Sequence, residues 1–361
     1  MQEKKKVSDV NRLFVAAACF VVIVAGMRMA TTLLVPFFLS LFIAILCGPP
    51  LFWMQRKGIP TALAVLSILV GTVVLILILA IFVGSSLSDF SSSVPEYQAR
   101  LTEMSTSLFS WLKGMGLEVP EEVLKDYFDP GKIMRMAANA LTGLSGLFKN
   151  TFLILLTVIF ILLEASGFPK KIVVALPDPE KSLAPLREFT ESVTRYIALK
   201  TLFSAVTGVA IGIWLALLGV DYALVWGLVA FLLNYVPNIG SIIAAIPAVL
   251  LALVQLGTGP ALFAALGFLV VNVAVGSILE PRSMGSGLGL STLVVFLSLV
   301  FWGWVLGPVG MVLSVPLTMI VKIGLESNEN TRWIAILLGS PPADVATAKA
   351  SKKTKKEKSL S

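Results

Sequence analysis

Residues 222–279 read YALVWGLVAFLLNYVPNIGSIIAAIPAVLLALVQLGTGPALFAALGFLVVNVAVGSIL, which is 58 residues without one charged side chain. As a single straight α-helix this stretch would be about 87 Å long. The hydrocarbon layer of a bilayer is only about 30 Å thick. The stretch therefore predicts a chain that crosses a membrane and folds back within it.

The rest of the chain is also apolar. Of its 361 residues, 57% are hydrophobic and 14% are charged, and the mean hydropathy is +0.92. A typical soluble domain has roughly a quarter of its residues charged. We predict an all-α polytopic membrane protein with about eight membrane segments, two of them broken or re-entrant, and with amphipathic helices outside the membrane. The predicted segments lie near 13–27, 29–47, 61–83, 150–163 and 201–220, followed by a complex block at 222–323.

The basic residues predict the orientation of the chain. Cytoplasmic flanks of membrane helices collect Lys and Arg. Lys4, Lys5, Lys6 and Arg12 then place the N-terminus in the cytoplasm. Alternation places Arg56 and Lys57 inside, residues 84–149 outside and residues 164–200 inside, with a cytoplasmic C-terminus. The tail carries six lysines, Lys349, Lys352, Lys353, Lys355, Lys356 and Lys358, which either attract anionic lipid or form a solvated tail.

The sequence disfavours an enzyme. It contains no histidine, which removes the usual proton shuttle and the most frequent zinc ligand. We predict no metal site and no cofactor, and we expect the lipid bilayer as a partner but no nucleic acid. Cys19 and Cys47 both lie in apolar segments, where we interpret them as small buried hydrophobic residues.

An apolar stripe follows the third predicted membrane segment. Its members recur at alternating spacings of three and four residues, which puts them on one face of a helix. They are Leu87, Phe90, Val94, Tyr97, Leu101, Met104, Leu108, Trp111 and Met115. Ser93 and Pro95 suit a helix cap and first turn, so the regular helix is expected to begin there. The stripe is expected to pack on the membrane, on the chain's own transmembrane helices or along a seam between protomers.

Two apolar stretches, Leu228–Val254 and Val294–Val321, are each interrupted near the middle by Pro and Gly. The first interruption contains Asn234, Pro237, Asn238 and Gly240, and the second contains Gly307, Pro308 and Gly310. Proline removes a backbone donor, and glycine permits a reversal, so backbone groups lose their helical partners. Paired breaks of this kind point to a transporter binding site. Two re-entrant hairpins, two pairs of short crossings, or plain loops between full spans all fit them, and Asn234 and Asn238 are also common turn formers.

A charged turn lies between the two interrupted stretches. Glu280 and Arg282 are an acid and a base flanked on both sides by long uncharged runs. Ionisable residues isolated within membrane segments are by default functional candidates. The alternative is an ion pair between the two at the membrane edge.

These residues resemble the AI-2E family of bacterial multi-pass transporters. The matching motifs are Phe231–Gly240, Glu280–Gly285, Leu288–Ser291 and Phe301–Gly310, and the resemblance covers roughly residues 13–325. It implies a multi-pass permease of the bacterial inner membrane that exports autoinducer-2 (AI-2). Some members of the family are assigned sodium or lithium/proton antiport, and members are thought to oligomerise.

With this resemblance, we divide the chain into four regions: an N-terminal three-helix membrane segment at 1–83, an extracytoplasmic amphipathic insertion at 84–149, a transport core at 150–325 with a cytoplasmic amphipathic stretch at 164–200, and a cytoplasmic basic tail at 326–361.

Export of a small polar solute is the first functional hypothesis. The second is exchange of a monovalent cation for protons, and the third is an oligomeric membrane scaffold that transports nothing. An antiporter needs a carboxylate within the membrane, and only Glu164, Asp221 and Glu280 are close enough. This scarcity favours a neutral or weakly anionic solute that contacts backbone groups, Asn234, Asn238 and Arg282.

Overall fold

The computed structural model describes residues 2–115, 151–175, 179–237, 239–284, 289–326, 329 and 331–339. All regular elements in this part of the chain are helices, which confirms the predicted all-α membrane fold. They are α1 (Gln2–Met29), α2 (Thr31–Arg56), α3 (Thr61–Gly114), α4 (Thr151–Ala175), α5 (Pro179–Leu217), α6 (Ala223–Leu233), α7 (Gly240–Leu256), α8 (Thr258–Val271), a π-helical segment (Asn272–Leu279), α9 (Glu280–Met284), α10 (Thr292–Leu306), α11 (Pro308–Glu326) and α12 (Arg332–Leu338).

Five helices in the described residues are long and apolar enough to cross a membrane. They are Thr31–Arg56, Thr61–Met104, Thr190–Leu217, Thr258–Ser283 and Pro308–Glu326. Shorter apolar helices occupy Ala17–Met29, Thr151–Ala165, Ala223–Leu233, Gly240–Leu256 and Thr292–Leu306. With each interrupted stretch taken as one segment, these helices make eight segments, in agreement with the prediction.

Helix α3 corrects the expected start of a separate outer helix. It runs without interruption from Thr61 to Gly114, so Ser93 and Pro95 lie inside it. A proline deletes only one backbone hydrogen bond, and the buried faces before and after it, represented by Phe90 and Tyr97, belong to one core. The packing of that face therefore outweighs the local break signal.

Helix α5 likewise joins two predicted elements. The amphipathic part of the predicted cytoplasmic stretch and the membrane segment at 201–220 form one helix that begins at Pro179. Proline is favoured at the first position of a helix, because the backbone N–H that it lacks would have no partner within the helix there. Most of the second half of the predicted insertion at 84–149, from residue 116 onward, and residues 176–178 before this helix lie outside the described residues.

The chain divides into two compact units. One comprises Met1–Val35, Lys181–Tyr196 and Met284–Ser361, and the other comprises Pro36–Glu180 and Ile197–Ser283. The interrupted stretch around Pro237 belongs to the second unit, and the one around Gly307 belongs to the first.

The stripe on α3 contributes to the core of the second unit. Phe90, Tyr97 and Leu101 are buried against residues of α6 and α7, including the fully buried Trp226. This part of the stripe thus packs on the chain's own helices. The side chains of Leu108 and Trp111 lie outside the described residues, and the expected homo-oligomer stays a prediction.

Two glycines bring α5 and α6 into close contact. A Cβ atom at Gly227 would lie 2.6 Å from the carbonyl oxygen of Gly208, and one at Gly208 would lie 2.7 Å from that of Gly227. Small residues are enriched where membrane helices pack closely. This crossing aligns α6 against α5, which places the break after α6 beside the middle of α5.

Many large apolar side chains remain exposed on the helix surfaces, among them Leu33, Ile81 and Phe152. In a bilayer such side chains face lipid, which is as apolar as a protein core. Cys19 belongs to this surface, since it is exposed on α1, whereas Cys47 is half-buried. The expectation that both cysteines are buried was therefore wrong for Cys19, because a lipid-facing position needs no protein neighbour.

Candidate functional site

Helices α6 and α7 form a hairpin whose two ends lie together. The backbone N–H of Asp221, before α6, donates to the side-chain oxygen of Gln255, near the end of α7, at 2.9 Å. Both ends also contact α3: Tyr97 donates to Asp221 at 2.8 Å, and Arg100 donates to the carbonyl of Gln255 at 3.1 Å. We call this region the Tyr97 end.

The hairpin turns back inside the apolar block. The 11 residues of α6 span only about 16 Å, roughly half of a hydrocarbon layer. Because α7 packs along α6 and returns to the Tyr97 end, the first interrupted stretch has the geometry of a re-entrant hairpin. Its tip comprises the residues between Leu233 and Ser241.

The tip has the irregular backbone that its Pro and Gly residues predict. The N–H of Val236 donates to Leu233 at 2.8 Å, and that of Ile239 donates to Pro237 at 2.7 Å, so short turns replace the helical pattern. A Cβ atom at Gly240 would overlap the carbonyl oxygen of Leu233. Only glycine allows α7 to begin so close to the end of α6. Asn238 lies outside the described residues.

Neutral polar side chains hold the tip between two helices. On one side, Asn234 donates to Ser204 of α5 at 3.1 Å, and the Tyr235 hydroxyl donates to Thr201 of α5 at 2.8 Å. On the other side, Ser241 donates to Asn272, the first residue of the π-helical segment, at 2.9 Å. We call these six side chains the tip cluster. Asn234, Ser204 and Ser241 are buried, so the cluster is a polar patch inside an apolar block.

A buried ion pair lies next to the tip cluster. The ammonium group of Lys200 is 2.6 Å from a carboxylate oxygen of Glu280, and their side chains are 6% and 15% exposed. Lys200 directly precedes Thr201, so the pair lies on the same part of α5 that holds the tip. Sequence reasoning missed Lys200, although it is the last charge before the uncharged run at 201–220.

Arg282 is exposed, and the alternative of an ion pair between Glu280 and Arg282 was wrong. The two residues lie two positions apart at the start of α9, and side chains at this spacing do not face each other on a helix. Glu280 faces α5 instead, where Lys200 is its partner.

The second interrupted stretch, in the other unit, is a sharper corner. Gly307 has a φ of 70°, a left-handed value, and Pro308 begins α11 directly after it. A Cβ atom at Gly310 would overlap the carbonyl oxygen of Trp302, so this corner repeats the close approach seen at Gly240. The predicted site residues in the described part of the chain thus form two groups: Asn234, Pro237, Gly240, Glu280 and Arg282 lie in the unit that contains the tip cluster, and Gly307, Pro308 and Gly310 lie in the other.

The corner at Gly307 is held by the junction of α1 and α2. The guanidinium of Arg28 lies 4.4 Å from the ring centre of Trp304, and the hydroxyl of Thr31, which donates to the carbonyl of Arg28 at 2.6 Å, also lies 3.3 Å from the carbonyl oxygen of Val305. The Trp302 indole donates to Thr318 across the corner at 2.9 Å. Every polar group in these contacts has a partner, so this corner is a packed helix junction.

Comparison with known proteins agrees with this architecture. The sequence model of a protein family described as "AI-2E family transporter" matches residues 17–329 of the chain. The AI-2 transport protein TqsA of Escherichia coli strain K12 is 44% identical over 328 residues, which cover 91% of this chain and 95% of that protein. A putative transport protein of Haemophilus influenzae is 40% identical over 337 residues, covering 92% and 97%.

A more distant relative also matches most of the chain. The putative transport protein YrrI of Bacillus subtilis is 28% identical over 315 residues, which cover 81% of this chain and 85% of that protein. The region matched by the family model includes both interrupted stretches, the tip cluster and the ion pair. On the family match and on these identities, the chain belongs to the AI-2E family and is a membrane transporter.

Proposed function

We propose that this transporter exports a small polar solute of the AI-2 kind across the bacterial inner membrane, and that the solute binds at the tip cluster. The observation that carries the proposal is the group of neutral polar side chains around the tip of the α6–α7 hairpin. The 44% identity to a protein named for AI-2 transport supports the choice of solute.

The chemistry of the tip cluster suits a neutral solute with hydroxyl groups. Hydroxyl and amide side chains both donate and accept hydrogen bonds, so they can exchange their mutual bonds for bonds to a solute. The bonds from Asn234 to Ser204 and from Ser241 to Asn272 join the tip to different helices. A solute between these helices would replace bonds that already exist, which avoids leaving buried polar groups unpaired.

The three candidate carboxylates support a neutral solute over cation/proton antiport. Glu164 is exposed and paired with Lys171 at 2.6 Å, and Asp221 accepts the bond from Tyr97 at the exposed end of the hairpin. Glu280 is paired with Lys200. Each carboxylate already has a protein partner, so none is a vacant cation ligand.

Efflux of AI-2 from liposomes tests the proposal. The purified chain is reconstituted into liposomes loaded with AI-2, and external AI-2 is followed with time. We expect efflux above protein-free liposomes, and we expect Ser204→Ala and Asn234→Ala to reduce it roughly tenfold, as expected for the loss of one buried hydrogen bond of about 1.4 kcal/mol. A dye that reports internal pH, with an imposed sodium gradient, measures antiport on the same preparation.

Ser314→Ala is the matched control. Ser204 and Ser314 are both fully buried, but Ser314 donates to Met311 within its own helix. We expect this variant to keep normal efflux. If the wild-type protein released no AI-2 but coupled sodium to protons, the solute proposal would be wrong and antiport would replace it.

The proposed orientation places the Tyr97 end outside and the N- and C-termini in the cytoplasm. In a background without Cys19 and Cys47, Ser92→Cys on the exposed face of α3 is expected to react with an impermeant maleimide on intact cells. Lys57→Cys, in the turn between α2 and α3, is expected to react only after the cells are permeabilised. Labelling of Lys57→Cys but not Ser92→Cys in intact cells would invert the topology.

A further inference from the structure

We infer that the Lys200–Glu280 ion pair is a gate that closes the transport pathway on the side of the tip opposite the Tyr97 end. The inference rests on the proposal that solute passes the tip cluster. The inference assigns a role to two residues outside the tip cluster. Because that role concerns access to the tip cluster, the inference can be tested without solute.

The pair joins the two helices that hold the tip. Lys200 is adjacent to Thr201 and one helical turn from Ser204, so it lies on the α5 surface that bonds Tyr235 and Asn234. Glu280 follows the π-helical segment, whose first residue, Asn272, bonds Ser241. When Lys200 and Glu280 are in contact, these two helices are held together next to the tip.

The position of the Lys200–Glu280 pair along α5 places it directly beyond the tip, on the side away from the Tyr97 end. The hairpin begins and ends at the Tyr97 end, beside the end of α5 at Leu217, and its tip lies beside Ser204. These two positions on α5 are about 20 Å apart. Lys200 lies one turn further in the same direction. An exported solute must therefore pass the ion pair to reach the tip before it can leave at the Tyr97 end.

The π-helical segment provides a way to move Glu280. The N–H of Glu280 donates to the carbonyl of Val275, five residues earlier, which is the wide π-type spacing. Such segments are rare and often occur at functional sites. Return of one turn to α-helical spacing would rotate Glu280 by about 100° around the helix. This rotation would separate its carboxylate from Lys200 without unfolding the helix.

The energetics of a buried ion pair suit a gate. The attraction between the two charges is largely offset by the loss of their hydration, so such a pair is only weakly favourable overall. Water that enters between the helices can hydrate the ammonium group of Lys200 and the carboxylate of Glu280, and so take the place of the ion pair. Ionisable side chains in membrane segments commonly mark the pathway of a transported species.

Accessibility of a cysteine at the tip tests the gate. Val236→Cys, in a background without Cys19 and Cys47, places a buried thiol at the tip and outside the tip cluster. Its reaction with a small impermeant thiol reagent is measured in right-side-out and in inside-out vesicles. In the parent, we expect reaction only from the Tyr97 end. In Lys200→Met/Glu280→Gln, we expect reaction from the opposite side to rise roughly tenfold or more, because the pair can no longer form.

Charge exchange and a matched surface pair complete the experiment. Lys200→Glu/Glu280→Lys can form the pair again and is expected to restore slow reaction. Lys171→Met/Glu164→Gln removes an exposed pair with the same 2.6 Å separation and is expected to leave the rates unchanged. Should the neutral variant fail to fold, Glu280→Asp keeps both charges on a shorter arm and is expected to raise the rate several-fold.

Equal reaction rates from the opposite side in the parent and in the folded neutral or Glu280→Asp variant would overturn the gate. Failure of the proposed function is a separate result, because it is measured as absent AI-2 efflux from the wild-type protein. If removal of the ion pair raised the reaction rate at the tip but the wild-type protein released no AI-2, the gate would be supported and AI-2 would be rejected as the solute.

Discussion

Gly240→Ala is expected to lower solute efflux roughly tenfold or more and to destabilise the protein by about 1–3 kcal/mol, the usual range for overpacking. The added Cβ atom would overlap the carbonyl oxygen of Leu233, which is backbone and cannot move aside by a change of rotamer. The start of α7 must therefore shift, and Ser241 moves with it away from Asn272. Efflux from liposomes and thermal unfolding in detergent measure the two effects.

Gly71→Ala provides the matched control. Gly71 lies within α3, and a Cβ atom there would meet nothing within 4 Å. Alanine in an open helical position stabilises by about 0.5–1 kcal/mol relative to glycine. We expect normal efflux and a slightly higher melting temperature. Unchanged efflux and stability in Gly240→Ala would mean that the tip can rearrange freely and that its geometry does not matter for transport.

Lys200→Met is expected to destabilise the protein by about 3 kcal/mol, because it leaves the carboxylate of Glu280 buried without a partner. The double variant Lys200→Met/Glu280→Gln removes both charges and is expected to recover most of that stability. Unfolding in detergent, monitored by protein fluorescence, gives the free energy of unfolding of each variant. Comparison of the single and double variants then gives the coupling energy between the two positions.

The exposed pair again serves as a comparison. Lys171→Met breaks a pair whose side chains are 68% and 55% exposed, and exposed pairs contribute only about 0–1 kcal/mol. A loss of stability in Lys200→Met no larger than that in Lys171→Met would show that water reaches Glu280 freely. In that case the pair would not act as a sealed barrier.

Local chemistry was enough to predict the two interruptions. Proline lacks a backbone donor, and glycine lacks a Cβ atom, and both properties act wherever the residues occur in the chain. The breaks at Pro237 and Gly307 therefore appear close to where the sequence predicts them. The same rule failed at Pro95, where the buried faces of α3 on both sides of the proline pack in one core.

The tip cluster and the ion pair depended on distant contacts. Glu280 is 80 residues from Lys200, and Ser241 is 31 residues from Asn272. Sequence patterns show that Glu280 is isolated among apolar residues, but they do not show which helix it faces. Arg282, the nearest basic residue in the sequence, was the expected ion-pair partner of Glu280. This expectation was wrong, because side chains two positions apart on a helix point in different directions.

Uncharged length and the backbone chemistry of Pro and Gly are sufficient to predict a helical membrane protein with two interrupted segments. The turn of the first interruption back toward the Tyr97 end, and the position of its tip beside Ser204, Asn272 and the Lys200–Glu280 pair, are visible only in the folded chain. Close packing between α5 and α6 at Gly208 and Gly227 sets the register of these helices, and neither helix encodes that register alone because it is a property of the two together.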